Sequence, residues 1–431
     1  MISFTTKSNF AKKSIPYFLI AIAFFMPVYL KLSIIGLFVL TFAWLLSGNW
    51  LNLKEYNKNS MLLWLLAFFW LLHAVSLVYS TNLYRGLNDI QQKLSFIIFP
   101  LIFYTSIRDV KSNYNKILIA FVSGLILSGL ICLINATYQS LSFANSQFVF
   151  NPIPIDYYWE NYFSYSRLSF PRHPTYFAMF YCLGIAILFY FAKFKKERSW
   201  TYVAIAIVIC FFVLMVFLLS SRAGILVTIV VFIGGMLWLF LKRMGWVLNI
   251  VGVAVILLFL ATFAKNNERF SILLNNLGLK HSVENRTYSP DEKSEIVNGD
   301  NIRTEIWLSI PEIVGPNWIF GFGIGDSKQE LLQGYKNKGL INALDNEYNA
   351  HNQYLETFAG LGILGFLLLL SILIFPLYNS FRKRKILLIM FITIIALNFI
   401  FESVLERIGG VIFLGFFYCL FILMSANIEE T

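Results

Sequence analysis

Thr201-Tyr-Val-Ala-Ile-Ala-Ile-Val-Ile-Cys210-Phe-Phe-Val-Leu-Met-Val-Phe-Leu-Leu219 contains no charged residue, and Ala223 to Leu241 repeats the pattern. Ser220-Ser-Arg-Ala-Gly224 joins the two runs. Each run has the length of a membrane-crossing helix, about 20 mostly apolar residues. A bilayer tolerates so short a link only as a helical hairpin, because unpaired backbone groups are not accepted in hydrocarbon. The whole chain has the same character: 58% of its residues are hydrophobic and 13% are charged. Soluble domains carry roughly a quarter charged residues. The fold class read from the sequence is therefore an all-α polytopic membrane protein.

Working outward from this hairpin, about twelve spans are predicted, near 15–30, 32–47, 61–80, 92–106, 116–136, 174–192, 200–219, 223–241, 245–264, 358–379, 386–401 and 408–425. They divide the chain into N-terminal helices (1–136), an outer loop (137–173), central helices (174–264), a large outer loop between spans nine and ten (265–357) and C-terminal helices (358–431). The first apolar run lacks a small-residue cleavage site, so it reads as a span and not as a removed signal peptide.

Orientation follows from Lys and Arg, which concentrate in cytoplasmic loops. With both termini inside, the inner segments hold Lys12, Lys13, Lys54, Lys58, Arg108, Lys111, Lys195, Lys196, Lys242, Arg243 and Arg382 to Lys385. The short outer loops hold few, among them Arg85, Lys93, Arg222 and Arg407. The net charge of +11 is thus a topology signal, which removes nucleic acid as a partner and leaves membrane lipids. The four cysteines (Cys132, Cys182, Cys210, Cys419) all fall in apolar runs without a CxxC pair. They read as packing residues.

The large outer loop holds the polar motifs. Residues 280–300 lack apolar periodicity and read as a mobile loop. Ile302, Ile306, Ile310 and Ile313 recur at helical spacing, with Pro311 near the end, and predict a short helix along the membrane surface. Gly321-Phe-Gly-Ile-Gly325 has no preceding strand and no following Lys-Ser/Thr, so it reads as a close-packed turn and not as a phosphate loop. Gly360, Gly362 and Gly365 would let the next span approach its neighbours closely.

Several residues could carry chemistry. Arg222 sits where a charge is costly without a partner, which favours function over a snorkelling anchor. Arg303 has the planar fork that suits phosphate oxygens, with a surface salt bridge to Glu305 or Asp300 as the plain alternative. His351 offers an imidazole, the side-chain type suited to taking a proton from a hydroxyl near neutral pH; the alternative is an interfacial histidine held by a carbonyl. Were this segment helical, Glu347 would share a face with His351 and could orient its ring. Arg167, Arg172 and His173 in the first outer loop are further candidates for substrate binding. The aromatic run Tyr157 to Tyr165 could stack on sugars but equally forms an interfacial belt. His73 and His281 read as structural or incidental.

Taken together, Ser221-Arg222-Ala223-Gly224 at a hairpin, Arg303 with Trp307, Gly321 to Gly325, and His351-Asn352-Gln353-Tyr354-Leu355 before a span resemble the O-antigen ligase family of membrane glycosyltransferases. That group also includes Wzy-type polymerases and O-oligosaccharyltransferases. The resemblance implies a GT-C-like fold and an inner-membrane enzyme with a periplasmic site. It implies an undecaprenyl-diphosphate-linked glycan as donor and a sugar of lipid A–core, or another lipid-linked glycan, as acceptor. It further implies that no metal ion or other cofactor is needed, that Arg222, Arg303 and His351 are catalytic, and that Asn352 and Tyr354 lie against substrate. The ligase reading is preferred to the polymerase reading; a lipid-glycan flippase is the alternative outside this class. Direct displacement would invert the anomeric carbon, and Glu347, Glu356, Glu402 and Glu406 remain open as carboxylate nucleophiles.

Overall fold

A computed structural model describes residues 2–51, 61–144, 147–153, 161–170, 172–192, 199–219, 221–241 and 290–425. The expected ninth span (245–264), His281, and residues 157–160 of the aromatic run lie outside the described residues. The helices are α1 (Ile2–Val28), α2 (Leu30–Ser47), α3 (Met61–Ser76), α4 (Leu83–Lys93), α5 (Ser95–Thr105) and α6 (Ile107–Ser140). A hairpin of β1 (Leu141–Ala144) and β2 (Gln147–Phe150) follows. Next come α7 (Tyr165–Leu168), α8 (Pro174–Ala192), α9 (Ser199–Leu218), α10 (Arg222–Leu241), α11 (Pro290–Val314), α12 (Ser327–Asn337) and α13 (Ile341–Asp345). The chain closes with α14 (Gln353–Lys383), α15 (Ile386–Phe401) and α16 (Ile408–Ser425).

Six of these helices are long and apolar enough to cross a membrane, and α3, α10, α15 and α16 add shorter apolar helices. The protein is a mostly helical membrane protein. At its centre α8 and α16 are buried almost all round, whereas α9 leaves Val203, Ile207 and Leu214 exposed. Association of such helices rests on close packing, since lipid is as apolar as leucine. The aromatic core supplies that packing: Phe121, Phe180, Phe391, Phe413, Phe417 and Phe421 form a chain of edge-to-face and stacked rings. Cys132, Cys182 and Cys419 are buried there as free thiols.

A second, smaller core lies outside the bundle. Ile306, Ile310 and Val314 of α11 pack with Leu331 and Tyr335 of α12, Ala343 of α13, Ala350 and Ala359. The predicted apolar stripe from Ile302 to Ile313 is the inner face of α11. The helix is longer than expected: it begins at Pro290, so residues 290–300 are helical and not a loop. Pro290 at the first helical position followed by Asp291 and Glu292 is favourable helix-starting chemistry, which a search for apolar periodicity misses.

The glycine turn docks this small core onto the bundle. Phe322 and Gly323 donate backbone hydrogen bonds to Ala359 and Gly360 (both 2.9 Å), and Ile363 donates to Trp318 (2.8 Å). The strand-like pairing runs through a break in α14 at Gly362 (φ 63°, ψ −159°), a conformation essentially reserved for glycine. A Cβ on Gly362 would lie 2.2 Å from the Ile319 carbonyl oxygen. On its other side the turn meets the α3–α4 link. Asp326 accepts hydrogen bonds from the Thr81 amide (2.7 Å), the Thr81 hydroxyl (2.9 Å) and the Asn82 amide (2.9 Å).

Candidate functional site

His351 is held by its neighbours. The amide of Ala350 donates to Glu356 Oε2 (2.8 Å), and its carbonyl accepts the indole N–H of Trp307 (2.8 Å). Asn352 caps α14, its side-chain oxygen accepting from the amides of Tyr354 (2.9 Å) and Leu355 (3.1 Å). Such a cap stabilises a helix by about 1 kcal/mol. Between these anchors His351 has a left-handed backbone (φ 45°), which costs a non-glycine residue about 1–2 kcal/mol. Anchors from α11 and α14 hold it there, and the ring faces the loop after α15.

That loop, 402–407, supplies the partner. Glu402 is buried, and its Oε1 lies 3.6 Å from His351 Nδ1. The loop is tied down three ways. Gln353 Oε1 accepts the Leu405 amide (2.6 Å), Tyr176 donates its hydroxyl to the Ser403 carbonyl (3.2 Å), and Glu406 lies 3.7 Å from the fully buried Lys93, which also pairs with Asp89. Burial by itself would raise the Glu402 pKa. The close approach and charge of His351, then the charges of His173 and Arg303, outweigh burial and hold the carboxyl below the usual range. His173, immediately before α8, is shifted the other way: burial lowers its pKa, Glu402 opposes, and the cations Arg407 and Arg303 with His351 add to the lowering. Glu402 is thus the anionic centre of a group that includes His351, His173, Arg303 and Arg407. Among the described residues no three His, Cys, Asp or Glu side chains are grouped as metal ligands.

Residues 208–370 match the family described as O-antigen ligase. Over this segment, somewhat over a third of its length, the chain is similar to the O-antigen ligase family. No curated protein matches the chain. The matched segment includes the Arg222 hairpin, Arg303, the glycine turn and His351. Glu402, His173 and Arg407 lie outside it and reach the site through the fold.

The remaining candidates divide between the site and its support. Arg222 is the first residue of α10, and its side chain lies outside the described part. Its neighbour Ser221 accepts the Gly224 amide (3.2 Å) and lies 3.5 Å from the Thr175 hydroxyl, so the hairpin flanks the His173 end of α8. Arg172 has its guanidinium 5.3 Å from the Phe180 ring centroid, and its buried Nε and Nη2 find no hydrogen-bond partner among the described residues. Arg167 is farther out, over the Tyr162 ring at 5.8 Å. The oxygen of Asn352 and the hydroxyl of Tyr354, which donates to the Ala396 carbonyl (3.0 Å), are engaged by the scaffold. Both are thus tied into the scaffold around His351.

The expectation for Glu347 fails. Residues 346–352 are not helical; Glu347 has φ 46°, is exposed, and pairs with Lys328 at 2.7 Å. The carboxylate that lies beside the His351 ring is Glu402. A signal for Glu402 existed: a carboxylate between two long apolar runs is costly unless paired. Arg407 and Gln353 offered no comparable signal. His73 lies with Nδ1 2.7 Å from the Phe69 carbonyl, a backbone-satisfied histidine as expected.

Proposed function

We propose that this protein transfers a glycan from undecaprenyl diphosphate to a sugar hydroxyl of lipid A–core, at the periplasmic face of the inner membrane. The observation that carries the reading is the His351–Glu402 pair at 3.6 Å, set beside Arg303 and His173 at one end of an apolar helical bundle. Ionised Glu402 favours the proton on Nδ1 of His351 and leaves Nε2 as the basic nitrogen. The acceptor hydroxyl oxygen attacks the anomeric carbon as its proton passes to Nε2. The bond from that carbon to the diphosphate oxygen breaks, and its electron pair leaves with the diphosphate. Arg303 and Arg222 stabilise the growing negative charge, as preorganised cations do most effectively where water is excluded. A single displacement of this kind inverts the anomeric centre. The similarity of residues 208–370 to the O-antigen ligase family supports this class of reaction.

The test is a gel of surface glycolipids from a strain lacking the gene, rescued with wild type or His351→Ala. Loss of capped lipid A–core with long chains retained on the carrier supports the ligase reading. Single repeats on the core assign a polymerase instead, and unchanged glycolipids refute both.

A further inference from the structure

We propose that the β1–β2 hairpin is seated in the bilayer interface and holds the first outer loop against lipid. Its register pairs Leu141 with Phe150 and Phe143 with Phe148, which places these four residues on one face. All four are exposed, Phe148 at 80%, and the Phe143 and Phe148 rings meet edge to face at 5.2 Å. Ser142, Gln147 and Val149 occupy the opposite face. An isolated two-stranded hairpin is marginal in water, and a contiguous exposed aromatic face marks an interaction surface.

Three observations identify lipid as the occupant. The exposed stripe of α6 (Leu127, Leu130, Ile134, Tyr138) runs directly into Leu141, so the hairpin face continues a lipid-facing surface. From Ile117 to Ile153 the sequence contains no charged residue. The depth also fits. At 1.5 Å per residue, Ile117 to Ser140 extends about 36 Å, against a hydrocarbon thickness of about 30 Å. Leu141 therefore emerges in the headgroup layer, where aromatic side chains concentrate. Phe150 meets Phe163 at 6.2 Å, linking the hairpin to the segment that leads to Arg172 and His173. A seated hairpin fixes the height of those residues above the acyl chains.

The test is site-directed spin labelling of the full chain in liposomes, with the exposed Cys210 replaced (Cys210→Ala) and the three buried cysteines retained. Labels at Phe148→Cys, and independently at Phe143→Cys, are expected to collide with oxygen more than with a water-soluble nickel chelate, giving a positive depth parameter. A label at Gln147→Cys is expected to show the reverse. Nickel-dominated collisions at both 143 and 148 would place the hairpin in water and overturn the proposal. Spin–spin broadening that disappears when the protein is diluted in lipid would assign the face to a second copy and overturn it equally.

Discussion

Glu402→Gln keeps the shape of the residue beside His351 and removes its charge. At 3.6 Å and an effective dielectric of ~20, a unit charge pair is worth on the order of 4–5 kcal/mol before desolvation. Desolvation of the buried carboxylate offsets much of this, and about 2–4 kcal/mol remains to orient the ring and stabilise an imidazolium. Each 1.36 kcal/mol is a factor of ten in rate, so transfer should fall roughly 30- to 1,000-fold. The assay is transfer from a purified undecaprenyl-diphosphate-linked glycan in liposomes, with thermal unfolding measured alongside. A well-folded Gln variant within about threefold of wild type, far less than general acid–base catalysis supplies, would refute the orienting role of Glu402.

Three further outcomes follow from the same geometry. Because the Glu402 pKa is depressed, its contribution is full above the ordinary carboxylate range and is lost as pH falls through the lower, folded value. Wild type should therefore hold its unfolding temperature into mildly acidic buffer and lose part of it as pH falls below the ordinary carboxylate range, and thermal unfolding of Glu402→Gln should lack that acid-dependent part. Gly362→Ala places a Cβ in a glycine-only conformation 2.2 Å from a carbonyl; a loss of about 1–3 kcal/mol from strain alone should appear as a lower unfolding temperature in detergent. Asp326→Ala removes the acceptor of three hydrogen bonds and should cost about 2–3 kcal/mol, read as faster proteolysis of the segment 315–350.

The bundle was legible because bilayer length and charge exclusion write themselves into local sequence: runs such as Pro174 to Ala192 and Gln353 to Lys383 announce themselves. The glycine turn was legible as close packing, but not its surfaces, since Ser80 and Asn82 come from the far N-terminal part of the chain. His351 and Arg303 stood out by residue type and motif order. That Glu402, His173 and Gln353 gather around them was not legible, because tertiary packing alone brings these residues together. Glu347 misled for a physical reason: spacing implies a shared face only on a helix, and Glu347 and His351 both have positive φ.

The most direct measurement is transfer by the purified protein in liposomes, supplied with undecaprenyl-diphosphate-linked glycan and lipid A–core, for wild type, His351→Ala and Arg303→Ala. The expected result is capped lipid A–core from wild type and a loss of at least roughly a hundredfold in each variant, with all three proteins equally folded. Capping by His351→Ala at the wild-type rate would contradict the central claim that this histidine takes the proton.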